Sequence, residues 1–157
     1  MTRELIGAAL ILLVLIIALN IYWSVSRKRK QQEARLPEPL TQQSFESLFD
    51  CFYVATVFAD NPLERIWAHG LGPRGKAVIG RFESELVIDR VGENSFAIPF
   101  QSIEHLGRGG ATIDRGVEKS GLVQIEWKLG NTSLLTSLRI TSNQERNFSK
   151  LKEVVGV

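Results

Sequence analysis

Residues 123–140 read VQIEWKLGNTSLLTSLRI, and apolar side chains alternate with polar ones through most of this segment. A period of two is typical of β-strands that bury one face. Gly130 and Asn131 separate the two halves and form the kind of pair found in tight hairpin turns. The segment therefore predicts an antiparallel hairpin, with Trp127 in the hydrophobic core.

Segments upstream show further strand patterns. Residues 51–59 are apolar and β-branched on both faces, as in a fully buried strand, and Phe96, Ile98 and Phe100 alternate with other residues. Turn-forming residues recur between such segments often enough to predict seven short strands. These turn signals lie at Gly75, Ser84, residues 92–94, 107–110 and 116–121, and Gly130.

The chain ends with a helical pattern. Ser142 and Glu145 have the spacing of a capping box, with the serine at the N-cap and the glutamate at N3. Gly156 can close the helix. The apolar residues at helical spacing between them are Phe148, Leu151, Val154 and Val155. These patterns predict a mainly β domain, a small seven-stranded barrel or sandwich capped by one C-terminal helix.

The N-terminal segment is apolar and uncharged. No charged residue occurs between Glu4 and Arg27, and residues 5–23 would form a helix about 28 Å long, close to the thickness of the hydrocarbon core. A cleaved secretory signal is the alternative, but such signals have a shorter apolar run and a small-residue cleavage site. Residues 5–26 are therefore predicted to form an uncleaved transmembrane helix.

Flanking charge predicts the orientation of this helix. The four consecutive cations at residues 27–30 outweigh Arg3 and the amino terminus, so the positive-inside rule places them in the cytosol. We expect a single-pass plasma-membrane protein with its N-terminus outside and its C-terminal domain in the cytosol. The predicted membrane-surface residues are Tyr22, Trp23, Arg27, Lys28, Arg29 and Lys30.

The net positive charge of the chain comes from the anchor, because the rest of the chain has a net negative charge. Five of the 19 basic residues and one of the 17 acidic residues precede Gln31, which leaves 14 basic and 16 acidic residues in the rest of the chain. This balance lacks the basic footprint of a nucleic-acid-binding protein, so no nucleic acid partner is predicted. The cationic block is interpreted as a topology signal and headgroup anchor.

Residues 27–44 are predicted to be a basic juxtamembrane block followed by a linker. The segment is polar, and Pro37 and Pro39 would stop a continuing helix. The alternative is that the membrane helix continues to about Arg35 before it breaks. In both cases the domain is expected to begin near Phe45 and to comprise residues 45–157.

Residues 61–76 are the most unusual soluble segment. Asn61 can cap a short helix that begins at Pro62 and ends at Gly70, so a helix followed by a glycine turn is one interpretation. The second interpretation is a loop that binds a partner or an anion through cations and glycine amides. Its candidate residues are Arg65, His69, Gly70, Gly72, Arg74, Gly75 and Lys76. The segment is not a P-loop, because Ala77 stands where that motif requires serine or threonine.

No pattern in the chain indicates catalysis, a metal site or a cofactor. The two histidines, His69 and His105, have no cysteine, histidine or carboxylate neighbour at metal-ligand spacing. Cys51 is the only cysteine and opens a predicted buried strand, where cysteine usually serves as a small apolar residue. The chain is therefore not predicted to be an enzyme.

Several segments carry a resemblance to a known family. Residues 95–106 resemble the strand pair of bacterial pleckstrin-homology-like (PH-like) domains, in which an Ile-Pro-aromatic strand leads into an isoleucine-containing one. Residues 68–75, together with weaker matches across the chain, resemble an actinobacterial family of membrane-anchored proteins with one such domain. The weaker matches are residues 52–56, 62–66, 74–77, 121–122 with Trp127, and 135–136 with Arg139.

This resemblance covers nearly the whole chain and implies a PH-like fold. It supplies no catalytic residue that could be carried over to this sequence. It also implies that relatives are often labelled transporters or exported proteins, with genes among those of pyrimidine biosynthesis. A transport role is physically doubtful, because a single span without ionisable residues offers no pathway for a solute.

Two functions follow from the sequence. The first is an interaction module that positions a cytosolic protein partner at the membrane, through an exposed strand edge or the loop at residues 69–76. The second is a sensor for anionic lipid or small anions that uses Arg74, Lys76 and the glycine turn, assisted by residues 27–30.

Overall fold

The computed structural model describes residues 2–42, 44–109, 111–112, 115–116 and 121–156. The two α-helices are α1 (Thr2–Glu33) and α2 (Gln144–Val155). The strands are β1 (Glu46–Phe58), β2 (Gly75–Phe82), β3 (Glu85–Arg90), β4 (Phe96–Pro99), β5 (Ile103–Gly109), β6 (Ala111–Thr112), β7 (Arg115–Gly116), β8 (Leu122–Leu129) and β9 (Thr132–Ile140). Seven of them form one antiparallel sheet in the order β4-β3-β2-β1-β9-β8-β5, and β6 pairs with β7. The predicted mainly β fold with an N-terminal apolar helix and a C-terminal helix is confirmed.

The hairpin predicted at residues 123–140 is formed by β8 and β9. Leu129 pairs with Thr132, so Gly130 and Asn131 are the two turn residues. Gly130 has a φ of 63°, and Asn131 is not among the residues with positive φ. This combination suits a type II′ turn, in which glycine supplies the positive φ at the first central position.

Strand ends differ from the sequence prediction in two places. β1 begins at Glu46, five residues before the predicted start at Cys51, and β4 ends at Pro99. Phe100 was predicted to continue the β4 pattern, but it begins a 3₁₀ turn, Phe100–Ser102, whose first N–H donates to the Ser84 carbonyl at 2.9 Å. The turn predicted at residues 107–110 is wrong in its described part, because residues 107–109 belong to β5 and pair with β8. Gly110 and most of the turn predicted at residues 116–121 lie outside the described residues.

The core contains a chain of hydrogen bonds between buried polar groups. Trp127 Nε1–H donates to Thr136 Oγ1 at 2.9 Å, and the hydroxyls of Thr136 and Thr56 lie 2.9 Å apart. The Tyr53 hydroxyl lies 2.8 Å from Thr56 Oγ1 and 2.7 Å from the Leu71 carbonyl. Because an indole N–H can only donate and a carbonyl can only accept, each hydroxyl donates in one direction, from Trp127 towards Leu71.

Aromatic rings pack around this series of hydrogen bonds. The rings of Phe96 and Trp127 stack with centroids 6.2 Å apart, and Tyr53 meets Phe96 edge-on at 6.0 Å. Burial raises the pKa of Tyr53 to about 12, which keeps its hydroxyl protonated as a donor. Trp127 is only 1% exposed, as predicted for a core residue, and Cys51 is also buried.

The predicted linker is part of the folded unit. α1 continues to Glu33, and Leu36 beyond it is 3% exposed, so this segment does not hang free between helix and domain. The Ala97 N–H donates to the Leu40 carbonyl at 2.7 Å, and Ser95 Oγ donates to the Gln42 carbonyl at 2.8 Å. Residues 34–42 therefore form a strap along β4. α1 ends at Glu33, which is nearer to the alternative end at about Arg35 than to residue 26, where the transmembrane helix was predicted to end.

The short helix predicted from Asn61 to Gly70 is wrong. The backbone makes a turn at Pro62 and an isolated bridge between Val57 and Arg65, and the Ile66 N–H donates to the Thr56 carbonyl at 2.9 Å. These bonds to β1 replace the helical ones. Only the end of the segment is helical, as one 3₁₀ turn, Ala68–Gly70.

The C-terminal helix is present, but its predicted capping box is not. Asn143, not Ser142, is the N-cap, with a φ of 47° and no side-chain capping bond. The Glu145 carboxylate binds Arg108 Nη1 at 2.8 Å instead of the helix backbone. The apolar face packs as predicted with Leu151 buried, and Gly156 closes the helix at a φ of 83°.

We predict that Thr136→Val destabilises the fold by about 1–3 kcal/mol, because it leaves the buried Trp127 N–H without an acceptor in a side chain of nearly the same shape. Urea unfolding of the full chain in detergent micelles measures this. Thr141→Val is the control, since Thr141 is exposed and should change the free energy of unfolding by less than about 0.5 kcal/mol. Equal effects of the two substitutions would contradict a stabilising role for the hydrogen bond from Trp127 to Thr136.

Candidate functional site

The end of α1 is attached to the connection between β1 and β2, residues 59–74, by one buried side chain. Gln32 is 5% exposed, and its Oε1 accepts the N–H groups of Trp67 at 2.7 Å and Ala68 at 3.3 Å. Its Nε2 donates to the Arg65 carbonyl at 3.1 Å. An amide is suited to this role because it offers an acceptor and donors from one group. We call these three bonds the Gln32 clamp.

A second bond joins the same two segments just beyond the helix. His69 Nε2 lies 2.9 Å from the Leu36 carbonyl, so this ring nitrogen carries the hydrogen. His69 has a φ of 51°, and Gly70 follows at 73°. Two successive left-handed residues turn the chain sharply, which brings the histidine back to the strap.

The Arg65 side chain binds backbone carbonyls of the loop and of β1. Its Nη1 donates to the Gly72 carbonyl at 3.1 Å and its Nη2 to the Val54 carbonyl at 3.2 Å. The side chain therefore fixes the end of the loop to β1. Gly72 is buried against the Trp67 ring, because a Cβ at this position would lie 2.3 Å from Trp67 Cε3. Ring packing, and not an anion cradle, accounts for this glycine.

Arg90 is a site residue that the sequence analysis missed. It is 3% exposed, and it donates from Nη1 to the Gly70 carbonyl at 2.8 Å and from Nη2 to the Asn94 carbonyl at 2.7 Å. Its guanidinium lies 5.0 Å from the ring centroid of Tyr53 and 5.4 Å from that of Phe96. Among the described residues, its Nε has no hydrogen-bond partner. Burial lowers the pKa of Arg90, and the cation is held by carbonyls and π faces.

A sequence signal for Arg90 existed. Leu86, Ile88 and Arg90 occupy alternate positions of one strand, and the first two are fully buried. Since alternate residues share a face of a strand, the pattern places Arg90 on the core face. A cation at such a position requires internal partners.

The seven candidate loop residues thus divide into two groups. The first group faces the protein through side chains or carbonyls and consists of Arg65, His69, Gly70 and Gly72. In the second group, Gly75 starts β2 opposite Tyr53, while Arg74 and Lys76 have exposed side chains. Of these seven residues, Arg74 and Lys76 are therefore the two whose side chains are placed to meet an external ligand.

Two clefts flank the end of α1. One of about 460 Å³ lies between the helix at residues 22–29 and the domain at Trp67, Pro73 and residues 92–94. The other, of about 590 Å³, has Lys28 and Arg35 on the helix side and Asp60 and Glu64 on the domain side. Among the described residues, no group of three or more histidine, cysteine or acidic side chains could hold a metal ion.

The two ends of the sheet differ in what covers them. β4 carries the strap through the bridge between Leu40 and Ala97. β5 pairs with β8, and its first residue donates a local backbone bond from the Ile103 N–H to the Phe100 carbonyl. Among the described residues, no second strand pairs with β5. α2 lies beside β5, because Arg108 binds Glu145 and stacks 4.6 Å from the Phe148 ring centroid.

The helix Glu4–Glu33 is long and apolar enough to cross a membrane, and its apolar stretch is not buried against the domain. The domain therefore lies beside a helix that could serve as a membrane anchor.

Comparison with known proteins agrees with this architecture. A family model described as bacterial PH domain-like matches residues 31–153, which is most of the chain. No match is found among curated proteins or among solved structures. The matched region begins next to Gln32 and includes the strap, the sheet and most of α2. The chain therefore belongs to the bacterial PH domain-like family.

Proposed function

We propose that this protein is a membrane-anchored PH-like module that positions a cytosolic protein partner at the inner face of the plasma membrane, without catalysis. Membership of a family of interaction modules and an apolar N-terminal helix support this role. The cations at residues 27–30 support a cytosolic domain and an external N-terminus. The partner is a protein, and the lipid bilayer is engaged through α1.

The Gln32 clamp is the observation that carries this proposal. α1 is continuous from the apolar segment to Glu33, and Gln32 in its last turn is bonded to the domain backbone. A continuous helix transmits orientation, whereas a flexible linker would not. A domain held in this way presents the same surfaces to the cytosol at all times, which suits a scaffold.

The outer edge of β5 is the partner site that we propose. Extended peptides add to free strand edges, and backbone bonds supply much of their affinity. β4 carries the strap. In the β1–β2 connection, the Trp67 N–H already binds the Gln32 side chain, and the His69 ring binds the Leu36 carbonyl. β5 is the remaining sheet end, with the exposed side chains of Glu104 and His105. The resemblance noted above makes enzymes of pyrimidine synthesis candidate partners to examine first.

We predict that Gln32→Ala loosens the attachment of the domain. Two N–H groups and one carbonyl lose their partners, at a cost of about 1–3 kcal/mol. Hydrogen exchange by mass spectrometry on the full chain in nanodiscs should show faster exchange in peptides that contain Trp67 and Ala68. Gln31→Ala is the matched control, since Gln31 is the adjacent residue of the same type and its side chain is exposed. If both variants exchange at the wild-type rate, the clamp does not hold the domain.

A photoreactive amino acid tests the partner site in living cells. We expect a residue placed at His105, on β5, to cross-link to a protein, whereas one at Glu153, on the exposed side of α2, should not. The adducts are identified by mass spectrometry after purification of the full-length membrane protein. A protein adduct at Lys76 alone would move the site to the β1–β2 connection, and the absence of protein adducts at all three positions would contradict the scaffold role.

The alternative function is a sensor of anionic lipid or small anions, and the exposure of Arg74 and Lys76 favours it. If it is correct, residues 31–157 should bind vesicles of anionic lipid in a salt-sensitive manner, since exposed charges are screened by salt. Arg74→Ala combined with Lys76→Ala should then abolish binding in a sedimentation assay. Arg139→Ala, an exposed cation on β9, is the control. Binding that is absent, or is unchanged in the double variant, would argue against the sensor.

A further inference from the structure

The smaller cleft beside α1 places part of the domain at the depth of the membrane surface. Its helix wall consists of Tyr22, Val25, Ser26 and Arg29, and its domain wall includes Pro73 and residues 92–94 of the turn between β3 and β4. The turn therefore lies alongside helix residues 22–29, and not beyond the end of the helix. Its distance from the bilayer can be derived from the helix itself.

The rise of an α-helix gives that distance. Residues 22–29 span about 11 Å along the axis at 1.5 Å per residue. Tyr22 and Trp23 end the apolar segment, at the level where aromatic rings favour the interface. The headgroup layer on each side of a bilayer is about 5–8 Å thick. The domain wall of this cleft therefore overlaps the headgroup layer.

The chemistry of the turn suits this location. Val91, at its start, is 71% exposed, which leaves an apolar side chain beside the membrane surface. The Val91 N–H donates to the Lys76 carbonyl at 3.0 Å, so an exposed cation neighbours the apolar residue. An apolar side chain next to a cation matches the acyl boundary and the phosphates above it.

Arg90 holds the turn in place. Its guanidinium binds the carbonyls of Asn94 at 2.7 Å and Gly70 at 2.8 Å, which ties the turn to the β1–β2 connection. That connection is itself bonded to α1 through the Gln32 clamp. The turn is therefore fixed relative to the membrane helix by an unbroken series of bonds.

From these relations we infer that the turn at residues 91–95 rests in the lipid headgroup layer beside the exit of α1, with Val91 as its apolar contact and Lys76 as its contact with phosphate. The lipid surface is thus a second interaction partner of the domain, separate from the protein partner proposed at β5. A contact of this kind needs little affinity of its own, because the anchor keeps the turn at the surface.

Fluorescence quenching in proteoliposomes tests this inference with the full chain. An environment-sensitive fluorophore is attached to Val91→Cys, and lipids with a nitroxide on the headgroup serve as quenchers. Cys51 does not interfere, because it is 3% exposed and burial raises the pKa of its thiol to about 12. The wild-type chain measures any remaining background. We expect a clear loss of fluorescence at position 91.

Two control positions separate location from hydrophobicity. Ser84→Cys lies in the exposed turn at the opposite end of β3, and Leu63→Cys replaces an apolar residue that is 81% exposed. Leu63 adjoins Glu64, which faces helix residues 28–35 and so lies beyond the headgroup layer. Neither position should be quenched. Glu93→Cys repeats the measurement within the turn and should be quenched like position 91. Equal quenching at positions 91, 84 and 63, or none at 91 and 93, would overturn the inference.

Discussion

The Gln32 clamp is the constraint on which the arrangement of the protein depends. The last turn of a helix leaves backbone carbonyls without partners, and an irregular loop leaves N–H groups without partners. The Gln32 side chain reaches from the helix and supplies partners for the loop backbone. Its Oε1 accepts the N–H groups of Trp67 at 2.7 Å and Ala68 at 3.3 Å, and its Nε2 donates to the Arg65 carbonyl at 3.1 Å. Removing it would leave two N–H groups and one carbonyl of the loop without partners, so the position of the loop depends on the helix.

The β1–β2 connection shows how a long irregular loop can be rigid. Loops of more than about 12–15 residues without secondary structure are uncommon, because their backbone groups need partners. Here the carbonyls are bonded one after another by side chains from different elements. Gln32 binds the carbonyl of residue 65, Arg90 that of residue 70, Tyr53 that of residue 71 and Arg65 that of residue 72. The series of hydrogen bonds from Trp127 ends at this same loop, so the core and α1 both determine its shape.

The sequence analysis predicted the elements that follow from local periodicity. It missed the side chains whose partners are backbone groups far away in the sequence. The β8–β9 hairpin and the apolar face of α2 follow from spacing, and both are present. Gln32 carries no such signal, because its partners lie 33–36 residues away and exist only in the folded loop. The prolines indicated the end of a helix correctly but not the packing of the strap. The predicted capping box is absent because the N-cap is Asn143, one residue later than Ser142, so that Glu145 stands at N2 and not at N3. Its carboxylate binds Arg108 on β5.

The use of the loop for attachment restricts where a partner can bind. Any ligand that needed residues 65–69 of the loop would have to break bonds to α1 or to the strap, such as those of Gln32 to the loop backbone and that of His69 to the Leu36 carbonyl. Binding there and attachment of the domain would then oppose each other, since coupling between two sites is reciprocal. A module whose role is to hold a partner at a fixed position would lose that position on binding. The arrangement that we propose, with attachment at the β1–β2 connection and recognition at β5, avoids this conflict.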